Sequence, residues 1–259
     1  MSARRVHVIG IGAGDPQHLT MQAVAAMQEV DVFLVADKGG AARDLLAARE
    51  ALCRTHLEEG SYRVVAVVDP ERGADAPRRG AAYTRGVEDW HDARARAWRE
   101  QFATLPEGAV AGFLVWGDPA FYDSTLRVLH HVAQTLPLDL RVTPGITAFQ
   151  ALAAAHGTVL HGIGEPVHVT TGRRLLQEWT PDLGPTVVML DGHLTCRELV
   201  DRAPDLSLHW GACLGLPQQE LRAGRLAEVV DEVAAVRAAL REQHGWVMDV
   251  YALGAGPVD

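Results

Sequence analysis

Short apolar runs alternate along the first half of the chain with longer segments whose apolar residues recur every three to four positions. The first run, 6–11, is rich in β-branched residues, and the segment that begins at Thr20 has helical spacing. An order of strand, helix and strand is typical of an α/β domain with a parallel sheet. The predicted strands are 6–11, 32–36, 62–68, 110–116 and 138–143, and the predicted helices begin near 20, 45, 87 and 124.

Polar residues interrupt this alternation between 69 and 86. The segment contains Pro70 and Pro77 and has no apolar periodicity, so the sequence predicts a mobile surface loop there. From Val87 onward, aromatic and small residues return at helical spacing, with charged residues on the opposite face. We therefore expect a long amphipathic helix after the loop.

The second half begins with a helix that is predicted to run from the turn at Pro144 and Gly145 to a stop at Gly157. Four apolar runs then predict strands, and some connections between them are short enough to join antiparallel neighbours. These strands are 167–171, 186–190, 206–214 and 247–253. We predict two α/β domains, 1–145 with a parallel sheet and 146–259 with a mixed sheet.

Composition excludes several classes of function. The formal net charge is −9, so the chain lacks the basic surface that nucleic acid or an anionic membrane requires. No window approaches the roughly 18–20 uninterrupted apolar residues of a membrane helix. Cys53, Cys196 and Cys213 have no paired spacing, which argues against a disulfide framework and a metal site. We expect a cytoplasmic protein with a small-molecule substrate and no metal.

Three loops rich in glycine and proline each follow a predicted strand directly. They are Gly10 to Pro16, Gly117 to Pro119, and Pro144 to Thr147. Ligands of open parallel sheets bind at the carboxyl ends of the strands, and glycine there lets the backbone approach a ligand closely. These loops are therefore the first candidates for a binding site.

The first loop is similar to the glycine fingerprint of dinucleotide-binding proteins, but it departs from that pattern. Asp15 and Pro16 stand where the third glycine is needed. The Asp15 carboxylate would repel a pyrophosphate, and Pro16 lacks the backbone N–H that would bind it. Two purely structural interpretations stay open: Asp15 caps the following helix, and Thr147 is an N-cap.

Taken together, these loops resemble the tetrapyrrole (corrin and sirohaem) methyltransferase family over nearly the whole chain. The resemblance rests on Ile9 to Pro16 with Leu19 and Thr20, Asp37 to Gly39, the long insert before Trp90, Trp116 to Ser124, and Met189 to Gly192. It implies two α/β domains with the active site between them, S-adenosylmethionine as cofactor and S-adenosylhomocysteine as product. It also implies a tetrapyrrole substrate and a homodimer.

The resemblance also carries over cofactor contacts, position by position. Asp191 stands where many relatives have methionine, so its contact is either through the backbone or through a side chain that binds ribose or moves a proton. The contacts implied are Pro16, Gly117, Asp118, Pro119, Thr147, Ala148, Met189, Leu190, Asp191, Cys213 and Leu214, with Gly254 as a weaker match.

The activity implied is methylation of precorrin-5 at C1, with water releasing an acetyl group as acetate. Release of acetate needs a base for water or a group that stabilises an oxyanion. The candidates are Asp15, Asp37, Tyr122 and His161, each of which also has a structural explanation: a cap, an ion pair with Lys38, packing, and a hydrogen-bonded loop histidine. Arginines that could bind substrate carboxylates are Arg43, Arg78, Arg79, Arg173 and Arg174.

Three other functions stay open. The first is another methyltransferase of the same family, acting at a different corrin carbon or on a diphthamide precursor. The second is an α/β nucleotide-binding oxidoreductase, which Gly10, Gly12 and Gly14 suggest. The third is a non-catalytic tetrapyrrole-binding protein.

Overall fold

The computed structural model describes residues 3–37, 43–70 and 81–256. The chain divides into two compact units. Unit 1 comprises Met1–Gly12 and Pro16–Ile146, and unit 2 comprises Ala13–Asp15 and Thr147–Asp259. Among the described residues, no helix is both long enough and apolar enough to cross a bilayer.

Unit 1 is an open sheet of five strands, all of them parallel, in the order β3-β2-β4-β1-β5. Because every neighbouring pair is parallel, all five carboxyl ends lie at one edge of the sheet. The elements are β1 (Arg4–Gly10), a short 3₁₀ helix (Pro16–His18), α1 (Met21–Gln28), β2 (Val32–Asp37), α2 (Arg43–His56), β3 (Arg63–Val68), α3 (Ala81–Thr104), β4 (Ala111–Val115), α4 (Thr125–Ala133) and β5 (Leu138–Thr143).

The apolar core of unit 1 covers both faces of this sheet. Val8 of β1 belongs to a cluster with Trp98 and Phe102 of α3, whereas Ile9 belongs to a second cluster with Met27 of α1. Strands that are buried on both faces have nearly continuous apolar sequences. This burial explains why the central strands are visible in the sequence.

Unit 2 contains a mixed five-stranded sheet in the order β6-β7-β10-β8-β9. β6 and β7 are parallel, and β10 is antiparallel to both β7 and β8. The carboxyl ends of β6, β7 and β8 therefore share one edge, where β10 begins. The elements are α5 (Ala148–His156), β6 (His168–Thr171), α6 (Gly172–Glu178), β7 (Thr186–Met189), β8 (Ser207–Ala212), β9 (Glu220–Arg225), α7 (Leu226–His244) and β10 (Asp249–Leu253).

The predicted surface loop at 69–86 is wrong in its last part. Residues 81–86 belong to α3, which begins at Ala81. Helix propagation adds a hydrogen bond for each residue, so a strongly amphipathic helix extends past the point where its apolar pattern fades. Residues 71–80 lie outside the described residues.

The sequence expectations also omit β9, α6 and α7. β9 is an edge strand in which polar and apolar residues alternate only from Glu220 to Ala223 before Gly224, so the period-2 signal is very short. α6 is only seven residues long. α7, by contrast, has buried residues at helical spacing, among them Leu226, Val230 and Val233, which a search of the segment for periodicity would find.

Candidate functional site

Three glycines meet at the carboxyl edge of the unit 1 sheet. The Gly117 N–H donates to the Gly12 carbonyl at 2.7 Å, so the loops after β1 and β4 pair directly. A Cβ on Gly145 would lie 2.1 Å from the Gly117 carbonyl oxygen, and a Cβ on Gly10 would lie 2.6 Å from the Gly145 nitrogen. Close approach of the backbones therefore requires glycine at positions 10 and 145, and Gly117 has a left-handed φ of 65°.

Asp118 ties two of these loops together. Its Oδ1 accepts the Ala120 N–H at 2.8 Å, within its own loop, and its Oδ2 accepts the Gly145 N–H at 2.9 Å. A charged acceptor strengthens such bonds. The carboxylate therefore anchors backbone, which explains why an acidic residue is tolerated at this mouth.

The far end of the same loop is held by a buried ion pair. Arg94 of α3 donates from Nε to Asp69 at 2.6 Å and from Nη1 to the Ser124 hydroxyl at 2.8 Å. Its guanidinium lies 4.5 Å from the centre of the Trp90 ring and 5.4 Å from that of Trp98. The loop between β4 and α4 is thus fixed at both ends.

Arg49 supports the end of β4 from α2. Its Nε donates to the Leu114 carbonyl at 3.0 Å, and its guanidinium lies 5.3 Å from the centre of the Trp116 ring. Burial lowers the pKa of Arg49 to about 10. The sequence offers no sign of this role, because a basic residue on an amphipathic helix is usually solvated.

Tyr122 adopts a left-handed backbone conformation, with φ of 52°, and its side chain is 44% exposed. A non-glycine residue in this region costs about 1–2 kcal/mol and is often found at functional sites. The loop that the sequence selects therefore contains local strain as well as close backbone contacts.

The corresponding edge of unit 2 is built by side chains. Asp191, two residues after the end of β7, is buried, and four donors satisfy its carboxylate. They are the His193 N–H at 3.0 Å, the Thr195 N–H at 2.6 Å, the Thr195 hydroxyl at 2.9 Å and the Tyr251 hydroxyl at 2.6 Å. These bonds favour a backbone role over the alternatives of ribose binding or proton transfer by the Asp191 side chain.

Arg237 of α7 completes this network. It donates to the Asp191 carbonyl at 2.6 Å, to the Gly192 carbonyl at 3.1 Å and to the Asp249 carboxylate at 2.8 Å. Trp210 also donates to Asp249. Burial raises the pKa of Asp249, and Arg237 opposes that rise.

Residues Ala13–Asp15 of the first loop belong to unit 2 and lie against the turn after β8. A Cβ on Gly14 would lie 2.5 Å from the Leu214 carbonyl oxygen, and a Cβ on Gly215 would lie 2.4 Å from the Asp15 nitrogen. Cys213 has φ of 51° and a buried thiol whose pKa is raised by burial. The Cys213 and Leu214 side chains are buried, so any ligand contact there would come from backbone atoms.

The remaining cofactor candidates lie at the starts of helices or at the end of β7. Thr147 forms a capping box with Gln150, which confirms the N-cap interpretation of its hydroxyl and leaves Ala148 as the first residue of α5. Pro16 begins the short 3₁₀ helix. Met189 ends β7, and Leu190 follows with φ of 53° and a 61% exposed side chain.

The catalytic candidates are not equivalent. Thr20, not Asp15, caps α1, since its side chain accepts the Ala23 N–H, and Asp15 directly precedes the 3₁₀ helix Pro16–His18. His161 contacts the Gly162 carbonyl in the exposed connection before β6, as a loop histidine would. Asp37 ends β2, and its side chain lies outside the described residues.

Of the five candidate arginines for substrate carboxylates, the structure describes the side chains of two. Arg174 forms an ion pair with Glu178 on the surface of α6, and Arg173 is also exposed. The side chains of Arg43, Arg78 and Arg79 lie outside the described residues. Within the described ranges, no group of three or more His, Cys, Asp or Glu side chains could hold a metal ion.

Unit 1 thus has a parallel sheet and unit 2 a mixed sheet, and their strand ends are built from glycine in the first and from buried polar groups in the second, which is an α/β fold. The chain matches the family model of the Tetrapyrrole (Corrin/Porphyrin) Methylases over residues 5–230 and belongs to that family. This membership confirms the predicted family, the fold class and the assignment as a methyltransferase.

Individual relatives agree with this assignment. Precorrin-6A synthase [deacetylating] of Sinorhizobium sp is 37% identical over 256 residues, which span 98% of this chain and 96% of that protein. A crystal structure described as that of a cobalamin-synthesis-related protein (CobF) from Corynebacterium diphtheriae is also 37% identical. It has a TM-score of 0.81 and covers 97% of this chain and 98% of its own.

A more distant structure shows the fold alone. Uroporphyrin-III C-methyltransferase from Thermus thermophilus, solved in complex with S-adenosylhomocysteine, is 20% identical, with a TM-score of 0.56. The match covers 96% of this chain and 97% of that one.

Proposed function

We propose that this protein methylates precorrin-5 at C1, with S-adenosylmethionine as methyl donor, and releases the ring's acetyl group as acetate. The observation that carries the proposal is the 37% identity to precorrin-6A synthase [deacetylating] across almost the full length of both proteins. Precorrin-5, S-adenosylmethionine and water give precorrin-6A, S-adenosylhomocysteine and acetate. The enzyme acts in aerobic cobalamin biosynthesis.

The glycine edge of unit 1 suits this cofactor. A sulfonium methyl group is already activated, so its transfer depends mainly on orientation and on exclusion of water. The carbon–sulfur bond breaks with its electron pair on sulfur, and the ring carbon supplies the pair for the new bond. Backbone N–H and C=O groups around Gly117 can hold a zwitterionic ligand without a basic cluster or a metal.

The predicted cofactor contacts remain part of the proposal. Asp118 acts by anchoring the Gly145 backbone, and Asp191 acts through its backbone, because their carboxylates already accept hydrogen bonds from the protein. Cys213 and Leu214 contribute backbone for the same reason, since their side chains are buried. Pro16, Pro119, Thr147, Ala148, Met189 and Leu190 keep the contacts that the resemblance gives them.

For the release of acetate, Asp15 and Tyr122 are the better supported of the four candidates. Both belong to loops that follow strand ends, and Tyr122 is strained and partly exposed. A base at either position would take a proton from water as its oxygen adds to the acetyl carbonyl. The bond between the acetyl carbon and the ring then breaks, its electron pair passes to the ring system that methylation has left electron-deficient, and the acetyl group leaves as acetate.

The proposal includes a homodimer, carried from the family resemblance, and a cytoplasmic location, carried from the composition and the unpaired cysteines. Light scattering on the purified protein tests the first, with a mass of about twice the 28.0 kDa of one chain expected and the mass of one chain contradicting it.

Product analysis tests the activity. Incubation with precorrin-5 and methyl-labelled S-adenosylmethionine should give one labelled product and one acetate for each turnover. Methylation without acetate would assign the protein to another corrin methyltransferase. Binding of NAD(H) together with indifference to S-adenosylhomocysteine would favour the oxidoreductase, and pigment binding without consumption of the cofactor would favour the binding protein.

A further inference from the structure

Arg237 is a buried arginine that the sequence analysis does not select. It lies on α7 with only 8% of its surface exposed. Its guanidinium binds two consecutive carbonyls, those of Asp191 and Gly192, and the carboxylate of Asp249 at the start of β10. A planar guanidinium presents donors in a fixed fork, so three such acceptors define its orientation and are in turn fixed by it.

The segment that Arg237 binds lies outside any helix or strand. It begins with Leu190, whose φ of 53° lies in the left-handed region, which costs conformational energy for any residue with a Cβ atom. Tyr251 holds the Asp191 carboxylate on one side, and Arg237 holds the carbonyls on the other. We call residues 190–192 the β7 turn. Residues 190–192 lie outside the strands and helices that the structure describes, so the contacts of Tyr251 and Arg237 fix their backbone.

A cavity adjoins Arg237. It has a volume of about 460 Å³ and is lined by residues 193, 194, 197, 234, 237, 238, 241 and 242. Of the charged residues in its lining, Arg197 is paired with Asp231, and Arg241 and Glu242 carry opposite charges. The cavity gives small solutes a route to the place of the Arg237 side chain if that side chain is removed.

We propose that Arg237 is a positioning residue for cofactor binding, which fixes the carbonyls of the β7 turn and so orients the backbone from Met189 to Asp191 toward the adenosine of S-adenosylmethionine. This inference rests on the proposed function. Lysine cannot replace it, because a single ammonium group lacks the fork that reaches both carbonyls and Asp249.

The experiment compares three variants of the full chain. Arg237→Lys keeps a positive charge beside Asp249 and loses the fork, and Arg237→Ala empties the site. Val233→Ala creates a cavity one turn earlier on α7, at a buried apolar side chain that makes no hydrogen bond to the β7 turn, and so reports the effect of lost stability alone. Binding of S-adenosylhomocysteine is measured by calorimetry, and unfolding by circular dichroism.

We expect the dissociation constant to rise about tenfold in Arg237→Lys, which corresponds to about 1.4 kcal/mol, and further in Arg237→Ala. Guanidinium chloride at about 10 mM, far below unfolding concentrations, should restore part of the affinity of Arg237→Ala through the adjoining cavity. It should do nothing for the Arg237→Lys variant, and sodium chloride should rescue neither.

Three results would overturn the inference. One is wild-type affinity in folded Arg237→Lys, and another is an equal loss of affinity in Val233→Ala at equal loss of stability. The third is the absence of guanidinium rescue in folded Arg237→Ala; if that variant does not fold, the Arg237→Lys and Val233→Ala comparison decides. Failure of the wild-type protein to bind S-adenosylhomocysteine would overturn the proposed function as well.

Discussion

The two sheet edges that carry the predicted cofactor residues are built by opposite means. In unit 1, the loops after β1, β4 and β5 approach so closely that only glycine fits, and backbone contacts fix them. In unit 2, hydrogen bonds of buried side chains hold the β7 turn, chiefly those of Asp191, Tyr251 and Arg237. The comparison shows that one fold can position backbone either by omitting side chains or by hydrogen bonding to them.

The two designs should fail differently. Adding an atom damages an edge made of glycine, because the neighbouring backbone cannot move aside. Removing a charge damages an edge made of buried polar groups, because the partner left behind is buried and unsatisfied. The predictions below separate these two kinds of failure.

Gly145→Ala should have the largest effect. Its Cβ would lie 2.1 Å from the Gly117 carbonyl oxygen, so the loops after β4 and β5 must separate. We expect a loss of more than about 3 kcal/mol in the free energy of unfolding, measured by urea denaturation. Gly192→Ala is the matched control in unit 2, since no atom lies within 4 Å of its Cβ. Equal stabilities for the two variants would contradict the close packing of the glycine edge.

Asp191→Asn should come next. All of the groups that contact its carboxylate donate hydrogen bonds, so an amide N–H would face a donor at one of the two oxygen positions. We expect a loss of about 2–3 kcal/mol in unfolding free energy. The exposed Asp201→Asn serves as control and should stay within about 0.5 kcal/mol of wild type. A neutral Asp191→Asn would show that the unit 2 edge does not depend on this carboxylate.

Asp118→Lys should weaken cofactor binding rather than abolish folding. It removes the acceptor that anchors the Gly145 N–H, and we expect the dissociation constant of S-adenosylhomocysteine to rise about tenfold or more. Glu88→Lys makes the same charge change on the exposed face of α3 and should bind normally. Equal affinities by calorimetry would remove the Gly117 to Pro119 loop from the site.

Acid should weaken the side-chain contacts of unit 2 slightly. Hydrogen bonds from Thr170, His168 and Arg174 lower the pKa of Glu178 to about 2, from 4.5. Because the folded pKa is the lower one, this stabilisation is present above pH 4.5 and is lost as the pH falls toward 2. Between pH 7 and pH 3, the wild type should therefore lose up to about 1 kcal/mol more than Glu178→Gln. Parallel pH profiles would contradict this; the exposed Glu165→Gln should follow the wild type.

The sequence shows one of these edges better than the other. Gly10 ends β1, and Gly117 and Gly145 stand two residues after the ends of β4 and β5, so both the strands and their ends are visible as patterns. Their mutual contact and the bond from Asp118 to Gly145 depend on which strands become neighbours, and that order is a property of the sheet. Asp118 could therefore be selected, while its anchoring role could not be deduced.

The unit 2 edge illustrates what periodicity misses. Tyr251 is 60 residues from Asp191, and Arg237 is 46 residues from it. On the sequence, Arg237 is a basic residue in a charged segment, and burial alone distinguishes it from its solvated neighbours. β9 was missed because its alternation of polar and apolar residues covers only four positions, Glu220 to Ala223.

Amide hydrogen exchange on residues 117–122, with and without S-adenosylhomocysteine, tests most directly whether the glycine edge holds the cofactor through its backbone. Saturating S-adenosylhomocysteine should slow exchange in this segment of the wild-type protein, whereas NAD should have no effect. Calorimetric binding of S-adenosylhomocysteine without slower exchange there would contradict it.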